Sequence, residues 1–540
     1  MKLLNVLLVL VALAVFSGCG KRETRVDVAI REQILLYGNK SEPQDLDPHV
    51  VQGTGEHQII SALLEGLVAE DPKTLDPVPG LAERWEISPD GKVYTFHIRA
   101  TAKWSNGDAV TADDFVKSYR RILTPSLGSL YSYMLHPLKN AKAISEGKIT
   151  DSTQLGARAV DARTLELTLE CPTSYLLNSM ASHYTWWAVH MPTVEKHGDP
   201  YKPGNKWTRP ENYVGNGPFI LTEWVPNSVI RVRKNTNYWD AANVRLNGID
   251  FLPIESVDSE ERSFRAGQLH RTEELPNGKI DAYRKDNPKL LRIDDFLGNY
   301  YYRVNVGHAA LKDKRVRHAL SQALDRQAIV DTVTRGGQRP AFAFTPPNTV
   351  GYTSRAQLKF DVEGAKKLLA DAGYPGGKGL PPVEIHYNTS ENHRAIAEAI
   401  QQMWKKNLGV DATLRNEEWK VYLDTQTATN YMVSRAGWIG DYPDPNTFLE
   451  TFLSYSGNNR TGFANPEYDR LVNAAACAND PKARYELFQQ AEALLLDELP
   501  LLPIYFYTRV YLLHPSVQNW FANYQDHHPF KYVYLEATAK

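Results

Sequence analysis

The first half of the chain carries an alternating pattern of apolar and polar residues. Apolar side chains occupy every second position in residues 93–99, 165–169 and 230–233, with polar side chains between them. This period of two is typical of a strand that buries one face. Because each strand keeps a polar side, we predict mixed or antiparallel sheets in this half of the chain.

The second half shows helical spacing instead. Apolar residues recur every three or four positions in residues 312–335, which predicts one helix there. Another helix is expected to begin after Ser390, a favourable N-cap residue, and to end near Gly409. Short strand patterns at 383–387 and 410–414 flank this helix. A strand, a helix and a strand in this order form a βαβ unit, which predicts a partly parallel sheet.

The N-terminus reads as an export signal. Lys2 is followed by an almost unbroken apolar run over residues 3–16, which is too short to cross a membrane comfortably. Small residues then precede Cys19, as in a lipoprotein signal that is cut before a lipid-carrying cysteine. We therefore predict a signal peptide at residues 1–18 and lipidation of Cys19. The alternative is an ordinary secretory signal with an accidental cysteine.

Composition narrows the class of protein. The chain has 540 residues and a formal net charge of -2, which gives no electrostatic footprint for nucleic acid. After residue 19, no apolar stretch approaches the roughly 18 residues that a membrane helix needs. Cys171 and Cys477 could form one disulfide, but their spacing matches no motif, and we interpret them as small buried hydrophobic residues.

Motifs for catalysis are missing from the sequence. It contains no Gly-x-Ser-x-Gly elbow, no His-Glu-x-x-His pair, no phosphate-binding glycine loop and no Cys-x-x-Cys. The pair His527-His528 is better interpreted as two surface histidines than as a metal site, because adjacent side chains point in different directions on most backbones. Asp113-Asp114 follow Thr111 at a predicted helix start, which is a structural role. We therefore predict no enzyme, no catalytic or metal-binding residue and no cofactor.

Residues 435–445 are the segment with the strongest functional character. They follow a predicted strand at 431–434 and contain two glycines and two prolines. Gly437 and Gly440 permit close backbone approach by another chain, Trp438 offers a flat apolar wall, and Asp441 is an acceptor-only charge. The structural alternative is a turn in which Asp441 caps the chain locally and Trp438 fills the core.

A series of motifs spreads over most of the chain. They are Ala82-x-x-Trp85-x-x-Ser88-x-Asp90-Gly91-x-x-Tyr94-Thr95-Phe96, Lys103-Trp104-Ser105-Asn106-Gly107, Thr111-Ala112-x-Asp114-Phe115, Asn216-Gly217-Pro218-Phe219, Tyr238-Trp239-Asp240, Tyr300-Tyr301-Tyr302-x-x-Asn305, Lys314-Arg315-Val316-Arg317-x-Ala319-Leu320 and Tyr387-Asn388-Thr389-Ser390, together with the segment around Asp441. In these motifs the chain resembles solute-binding protein family 5, the peptide-binding subunits of ABC importers.

The resemblance implies roles for individual residues. Asp441 matches the aspartate that pairs with the α-ammonium group of a peptide. Three sets of residues match the rest of the ligand site: the main-chain partners Gly437, Trp438 and Ile439 with Gln52, Gly53 and Thr54; the cleft aromatics Tyr131 and Trp438; and the carboxylate-binding Arg435 and His393. One position departs from the pattern, because Gln426 stands where the family has an arginine. The resemblance therefore assigns the carboxylate end of the ligand less completely than the amine end.

The resemblance also implies a fold. We expect a two-lobed α/β binding protein with mixed sheets and a ligand cleft between its lobes. Lobe I is predicted to be discontinuous, with residues 20–65, 190–290 and 509–540, while an extra subdomain spans 66–189 and lobe III spans 291–508. A strand-like stretch at 499–511 fits this plan, since a late strand often completes an earlier sheet.

The predicted function is capture of short peptides and their delivery to the membrane permease of an ABC importer. We expect an exported monomer, periplasmic or at the cell surface and held to a membrane by lipid at Cys19, that does not bind nucleic acid. The first alternative is a narrower ligand, such as a cell-wall murein peptide or a non-peptide solute such as a nickel chelate. A secreted hydrolase, or an adhesion or chaperone role, remains a further alternative.

Overall fold

The computed structural model describes residues 23–537. Within that range the chain is a mixed α/β protein with five sheets. The strands are β1 (Ile34–Gly38), β2 (Val68–Glu70), β3 (Pro77–Pro79), β4 (Ala82–Ile87), β5 (Val93–Ile98), β6 (Ala157–Asp161), β7 (Thr164–Thr168), β8 (Phe219–Val225), β9 (Val229–Lys234), β10 (Gly248–Leu252), β11 (Leu291–Val304), β12 (Arg339–Pro340), β13 (Val383–Asn388), β14 (Ala412–Glu417), β15 (Val433–Ile439), β16 (Leu501–Leu512), β17 (Val517–Gln518) and β18 (Tyr534–Leu535). The α-helices are α1 (Arg25–Glu32), α2 (Thr54–Leu63), α3 (Ala112–Ile122), α4 (Ala141–Ser145), α5 (Leu176–Ser182), α6 (Met191–Lys196), α7 (Val257–Arg265), α8 (Ile280–Asp286), α9 (Lys314–Gln322), α10 (Arg326–Ile329), α11 (Val362–Asp371), α12 (Glu391–Leu408), α13 (Trp419–Thr427), α14 (Asn446–Leu449), α15 (Pro466–Ala476) and α16 (Pro481–Glu498).

The first lobe contains two four-stranded sheets, with the orders β1-β10-β9-β8 and β4-β5-β7-β6. β1 pairs with β10 in parallel, and the other neighbours are antiparallel. One hydrophobic core joins the two sheets, and residues near the C-terminus, such as Phe530 and Leu535, are buried in it. The first lobe is therefore built from segments that are far apart in the sequence.

The second lobe is organised on a six-stranded sheet with the order β12-β16-β11-β15-β13-β14. Its two faces support separate cores, because adjacent residues of a strand point to opposite sides. Tyr300 and Tyr302 of β11 belong to one core, whereas Tyr301 belongs to the other. β13 pairs in parallel with both β14 and β15.

The long strands β11 and β16 connect the two lobes. Residues 291–295 of β11 pair with 508–512 of β16, and residues 299–303 pair with 501–506, with an irregularity between Asp295 and Asn299. The outer part of this ribbon packs in a first-lobe cluster with Phe264 and Leu269. The inner part lies in the six-stranded sheet. An irregular ribbon of this kind is a suitable place for a hinge.

A disulfide provides a second connection between the lobes. Cys171, which follows β7 in the first lobe, is bonded to Cys477, which caps α15 in the second lobe, and their Cα atoms lie 5.4 Å apart. Nearby, Tyr175 stacks on Tyr442 with ring centroids 5.0 Å apart. The interpretation of these cysteines as small unpaired hydrophobic residues is therefore wrong. Sequence separation hid the pair, because only closure of the lobes brings the two positions together.

Most of the predicted elements are confirmed. The alternating segments are β5, β7 and β9, and the predicted βαβ unit is β13, α12 and β14, with Ser390 as N-cap and Gly409 as C-cap of α12. The single helix predicted over 312–335 is wrong. The chain forms α9, then α10, then a short π-helix at Val330–Thr334. The break arises because the Asp325 side chain accepts a hydrogen bond from the Ala328 N–H and begins a new helix.

The strand predicted at 431–434 is longer in the structure and includes Gly437 and Trp438. No helix between residues 23 and 537 is both long and apolar enough to cross a bilayer. The predicted signal peptide and Cys19 lie outside the described residues. The boundaries predicted for the individual domains stay a prediction.

Candidate ligand cleft

Strand β15 has an unpaired edge that faces the cleft between the lobes. It pairs with β11 along its whole length, but it pairs with β13 only at Val433 and Ser434. The Gly440 N–H donates to the Leu297 carbonyl at 2.7 Å, so even-numbered residues point their main-chain groups at β11. Because these directions alternate along an antiparallel strand, Gly437 and Ile439 point their N–H and C=O groups away from β11.

Gln426 limits this free edge. Its side-chain amide donates to the Arg435 carbonyl at 2.8 Å and to the Ser434 hydroxyl at 2.9 Å, and its carbonyl accepts from the Arg303 guanidinium at 2.8 Å. The side chain is only 1% exposed. Gln426 therefore lies beneath the cleft and occupies the outward carbonyl of Arg435, which leaves Gly437 and Ile439 as the open main-chain positions.

The two glycines of this segment are required by contacts within the second lobe. A Cβ atom at position 437 would lie 2.7 Å from the Tyr507 hydroxyl oxygen. At position 440 it would lie 2.7 Å from Leu297 Cδ2. Real Cβ atoms do not come this close to other atoms, so any side chain at these positions would move the strand or its neighbours.

Asp441 follows the free edge directly. Its main-chain N–H donates to the Thr447 hydroxyl at 3.0 Å, and the Tyr133 hydroxyl donates to its carboxylate at 3.3 Å. The side chain is 10% exposed, and no Lys or Arg among residues 23–537 forms an ion pair with it. Burial raises the pKa of Asp441 to about 7, although the Tyr133 hydrogen bond and the charge of His527 act in the opposite direction. The site thus holds a buried carboxylate without a cationic partner.

Aromatic residues of the first lobe surround this carboxylate. The His183 Nε2 atom lies 3.8 Å from an Asp441 oxygen. Burial, together with the charge of nearby His527, lowers the pKa of His183 to about 3, so the imidazole is neutral and the contact is not an ion pair at neutral pH. Tyr131 packs on both Tyr133 and His183, with centroid distances of 5.7 and 4.8 Å. Together they form an aromatic box that is closed by the second lobe.

Residues 52–54 lie at the start of helix α2 in the first lobe. Gly53 is the N-cap residue and Thr54 is the first helical residue, directly after Gln52. This helix carries His57 into the wall of the cleft, where it stacks on His527 with centroids 4.6 Å apart. Glu70 accepts from His527 at 2.8 Å. The His57 ring centroid also lies 6.5 Å from that of His183, so the start of α2, with residues 52–54, lies beside the aromatic box.

A basic group lies at the end of the free edge that is farther from Asp441. The Arg435 guanidinium donates to the Tyr507 hydroxyl at 2.9 Å and lies 4.9 Å from the ring centroid of Tyr300. The Tyr300 hydroxyl is 3.3 Å from His393 Nδ1. Burial lowers the pKa of His393, and the charge of Arg435 lowers it further, so this imidazole is neutral. Arg435 and His393 are thus brought together at the end of the free edge opposite Asp441.

Sequence reasoning missed several residues of the site. Tyr133 and His183 contact Asp441 directly, and Arg303 contacts Gln426. The aromatic run at 183–187 and the closeness of Tyr133 to Tyr131 were available signals. No sequence pattern marks Arg303 as a site residue, because it is one charged residue within the strand β11. His527 and His528 are interpreted from the sequence as surface residues, but His528 is buried against Asp526 and His527 is partly buried against Glu70. Among residues 23–537 no cluster of three metal-ligating side chains is found.

The chain is similar to known binding proteins over nearly its whole length. It is 38% identical over 539 residues to the periplasmic oligopeptide-binding protein OppA of Salmonella typhimurium, covering 98% of this chain and 96% of the relative. It is also 38% identical over 516 residues to the periplasmic murein peptide-binding protein MppA of Escherichia coli, covering 94% and 93%.

Solved structures agree with this similarity. The structure of the Escherichia coli murein tripeptide-binding protein MppA matches with a TM-score of 0.87, covering 93% of this chain and 98% of that chain. The complex of Haemophilus influenzae OppA with the peptide RPPGFSPFR matches with a TM-score of 0.86 at 36% identity, covering 93% and 99%. An unliganded open form of MppA, with coverage of 93% and 97%, matches with only 0.70. The lobes are therefore arranged less like that open form.

These likenesses bear out the two-lobed fold that the sequence predicts. The family model described as bacterial extracellular solute-binding proteins, family 5, middle part, matches residues 76–460. Members of this family are binding proteins and not enzymes. The chain belongs to the bacterial extracellular solute-binding proteins of family 5.

Proposed function

We propose that this protein captures short peptides with a free N-terminus in the cleft between its lobes and delivers them to the permease of an ABC importer. One observation carries the proposal. The open main-chain groups of Gly437 and Ile439 lead directly to the buried carboxylate of Asp441, which has no Lys or Arg partner among residues 23–537. A main-chain ladder beside an acidic end is complementary to the N-terminal half of a peptide.

Main-chain pairing explains how one cleft accepts many sequences. An extended peptide that adds to the free edge of β15 gains hydrogen bonds from its own N–H and C=O groups, which every peptide has. Its side chains alternate between the two faces of the sheet and are not read by these bonds. Affinity therefore comes from the shared backbone, and selectivity comes from the groups at the ends and on the two faces.

The amine end sets the register of the ligand. An α-ammonium group beside Asp441 forms a charge-assisted hydrogen bond, which contributes about 1.5–3 kcal/mol. It also supplies the cation that the buried carboxylate lacks. Because Tyr133 and His183 reach Asp441 from the first lobe, the carboxylate is enclosed only when the lobes are together. Closure on an empty cleft would bury an uncompensated charge, so the ammonium group favours closure of the loaded protein.

The carboxylate end is the second anchor. Arg435 and His393 lie at the far end of the free edge and offer donors to the C-terminal carboxylate of a short peptide. Gln426 does not replace the family arginine as a direct contact, because its amide is used within the second lobe. It holds the Arg435 main chain in position.

The location of the protein follows from its N-terminus. We propose that residues 1–18 are removed on export and that lipid on Cys19 holds the protein to a membrane as a monomer, close to its permease. Release of a Cys19→Ser variant in soluble form supports the anchor, whereas retention in the membrane fraction contradicts it.

Calorimetry with matched peptides tests the amine contact. Purified protein, freed of co-purified ligand, is titrated with Ala-Ala-Ala and with its N-acetyl form. Acetylation and the Asp441→Asn substitution are each expected to weaken binding roughly tenfold to a hundredfold, because each removes one partner of the charge-assisted bond. Acetylated peptide and the Asp441→Asn variant together should show little more loss of affinity than either change alone, since both changes remove the same interaction.

Glu363→Gln is the matched control. This glutamate is exposed on α11 and pairs only with Lys366 among the described residues, so its loss should leave peptide affinity unchanged. Equal binding of free and acetylated peptides by the native protein would rule out the Asp441 contact.

The murein peptide ligand remains a second candidate, because MppA is as similar in identity to this chain as OppA is. Mass spectrometry of ligand released from protein purified from its own cells separates the candidates. A mixture of peptides indicates general capture, and a single cell-wall peptide indicates the narrower role.

A further inference from the structure

Three arginines of the second lobe lie on or near strands β11 and β15 without acidic partners among residues 23–537. Arg303 belongs to β11, Arg435 belongs to β15, and Arg460 lies in the loop before α15. Each has a buried Nε atom that makes no hydrogen bond. No carboxylate among residues 23–537 forms an ion pair with any of them. We call these residues the arginine cluster.

The neighbours of the arginine cluster are neutral. Arg303 donates to the Gln426 side chain at 2.8 Å and, weakly, to the Asn458 carbonyl at 3.5 Å. The Arg435 guanidinium donates a hydrogen bond to the Tyr507 hydroxyl oxygen at 2.9 Å. The Arg460 side chain donates no hydrogen bond to any group in residues 23–537. The guanidinium groups of Arg435 and Arg460 therefore have few hydrogen-bond acceptors among residues 23–537.

Several other buried arginines have acceptors for their guanidinium groups. The Nε atom of Arg271 is also unpaired, but its terminal nitrogens pair with Glu273 and Asp526. Arg121 pairs with Asp47 at 2.6 Å, and Arg484 pairs with Asp444 at 2.7 Å. Arg326, which has no acidic partner, donates to the Pro503 and Ser321 carbonyls and to the Ser321 hydroxyl. Because burying a guanidinium without such partners is costly, the unmet donors of the arginine cluster point to a missing anion.

The arginine cluster occupies both faces of the sheet at the end of the free edge of β15. Arg435 lies opposite Tyr302 in the antiparallel register, and Arg303 lies opposite Ser434, so the two side chains leave the sheet on opposite sides. Arg303 Cζ lies 5.7 Å from the ring centroid of Tyr301. Arg303 and Arg460 are close enough to repel each other: burial lowers the pKa of Arg460, and the charge of Arg303 lowers it further.

The charge of Arg460 acts on a residue of the first lobe. Burial raises the pKa of Tyr131 in the aromatic box, and Asp441 raises it further, whereas the positive charge of Arg460 opposes both. Tyr131 belongs to the opposite wall of the cleft. The field of Arg460 therefore reaches the space that a bound ligand would occupy.

Resting on the peptide-binding function proposed above, we infer that Arg303 and Arg460 form a subsite for a second carboxylate, and that the preferred ligands are short peptides with an acidic side chain. A ligand strand beside β15 sends successive side chains to opposite faces. Its C-terminal carboxylate meets Arg435 on the Tyr300 face. An acidic side chain on the Tyr301 face meets Arg303 and Arg460.

Peptides that differ only in one charge test the subsite. Alanine tetrapeptides with a single Glu at each position in turn are compared by calorimetry with the corresponding Gln peptides. At one position Glu is expected to bind at least about tenfold more tightly than Gln, the value of one charge-assisted hydrogen bond in a buried site. The Arg460→Gln variant should lose this preference and keep its affinity for the Gln peptide.

Two further variants complete the design. Arg303→Gln should also reduce the preference for Glu, and retained binding of the Gln peptide shows that it folds. Arg470→Gln is the control, because Arg470 is exposed on α15 and pairs with Glu467. Equal affinity for Glu and Gln peptides at every position in the native protein would overturn the subsite while peptide binding stands. Failure of all peptides, neutral ones included, would instead overturn the proposed function.

Discussion

At the scale of single residues, the cleft is defined by charges that lack partners in the protein. Asp441 is buried at one end without a Lys or Arg, and the Arg435 guanidinium is buried at the other end without a carboxylate, among residues 23–537. Buried charges are normally paired within a folded chain. Here the missing partners match the two ends of a zwitterionic ligand, which makes the empty closed state unfavourable and the loaded one favourable.

The charge on Asp441 gives closure a pH dependence. Burial raises its pKa to about 7 in the closed protein, whereas in an open cleft we expect a value near that of a free carboxyl, about 3.9. The penalty for closing an empty cleft is therefore complete above pH 7 and shrinks as the pH falls between these two values, by about 1.4 kcal/mol per pH unit.

Asp441→Asn isolates this effect. The ligand-free variant is expected to be more closed than the native protein at pH 8, and the difference should be smaller at pH 5.5, as measured by small-angle scattering or by a distance between labels on the lobes. His183 stays neutral in both proteins, because its pKa is about 3. The charge of Asp441 raises the pKa of His527, so both proteins are compared in a His527→Gln background. A difference that does not change with pH would contradict the assignment.

At the scale of elements, strand β15 decides the geometry of the cleft. The sequence predicts that this strand ends at residue 434, because two glycines and two prolines follow. Pairing with β11 extends it to Ile439, since each residue from 433 to 439 has a partner. Glycine lowers strand propensity, but tertiary pairing overrides a weak local preference. The free main-chain groups of Gly437 and Ile439 exist only because of this extension.

Gly437→Ala should disturb the strand. The new Cβ would lie 2.7 Å from the Tyr507 hydroxyl, so either β15 or Tyr507 must move, with an expected loss of about 1–3 kcal/mol in stability and weaker peptide binding. Thermal unfolding and calorimetry measure the two effects. Tyr507→Phe removes the clashing oxygen and should partly restore the alanine variant.

Gly457→Ala is the matched control, because a Cβ there meets nothing within 4 Å. Absence of any rescue by Tyr507→Phe would mean that the ring carbon Cε2 of residue 507, which would lie 3.3 Å from the new Cβ at position 437 and remains in the phenylalanine, is the limiting contact instead.

At the scale of the whole molecule, two kinds of connection join the lobes. The ribbon of β11 and β16 is continuous, and its register irregularity between Asp295 and Asn299 is a suitable place for a hinge. The disulfide between Cys171 and Cys477 closes the lobes at a different place, where Tyr175 stacks on Tyr442 and Lys142 lies 3.4 Å from the ring centroid of Tyr455. A hinge permits opening, whereas this covalent bond holds the two surfaces together.

The disulfide is therefore expected to slow ligand exchange. In the oxidised protein a bound peptide should dissociate roughly tenfold or more slowly than after mild reduction or in the Cys171→Ser/Cys477→Ser double variant, because exchange requires the lobes to separate. Dissociation of a fluorescent peptide, measured with and without reductant, checks this. Unchanged rates would show that opening does not separate these two cysteines.

The sequence by itself determined the class of this protein and singled out Asp441 as the proposed anchor of the ligand. Strand alternation, the capped helix after Ser390 and the motif series depend on local chemistry, which is written in neighbouring residues. The tertiary structure decided what depends on distant residues: the disulfide across 306 positions, the role of Gln426, and the meeting of Asp441 with Tyr133 and His183. These contacts form only when two lobes close, and no local pattern records which surfaces will meet.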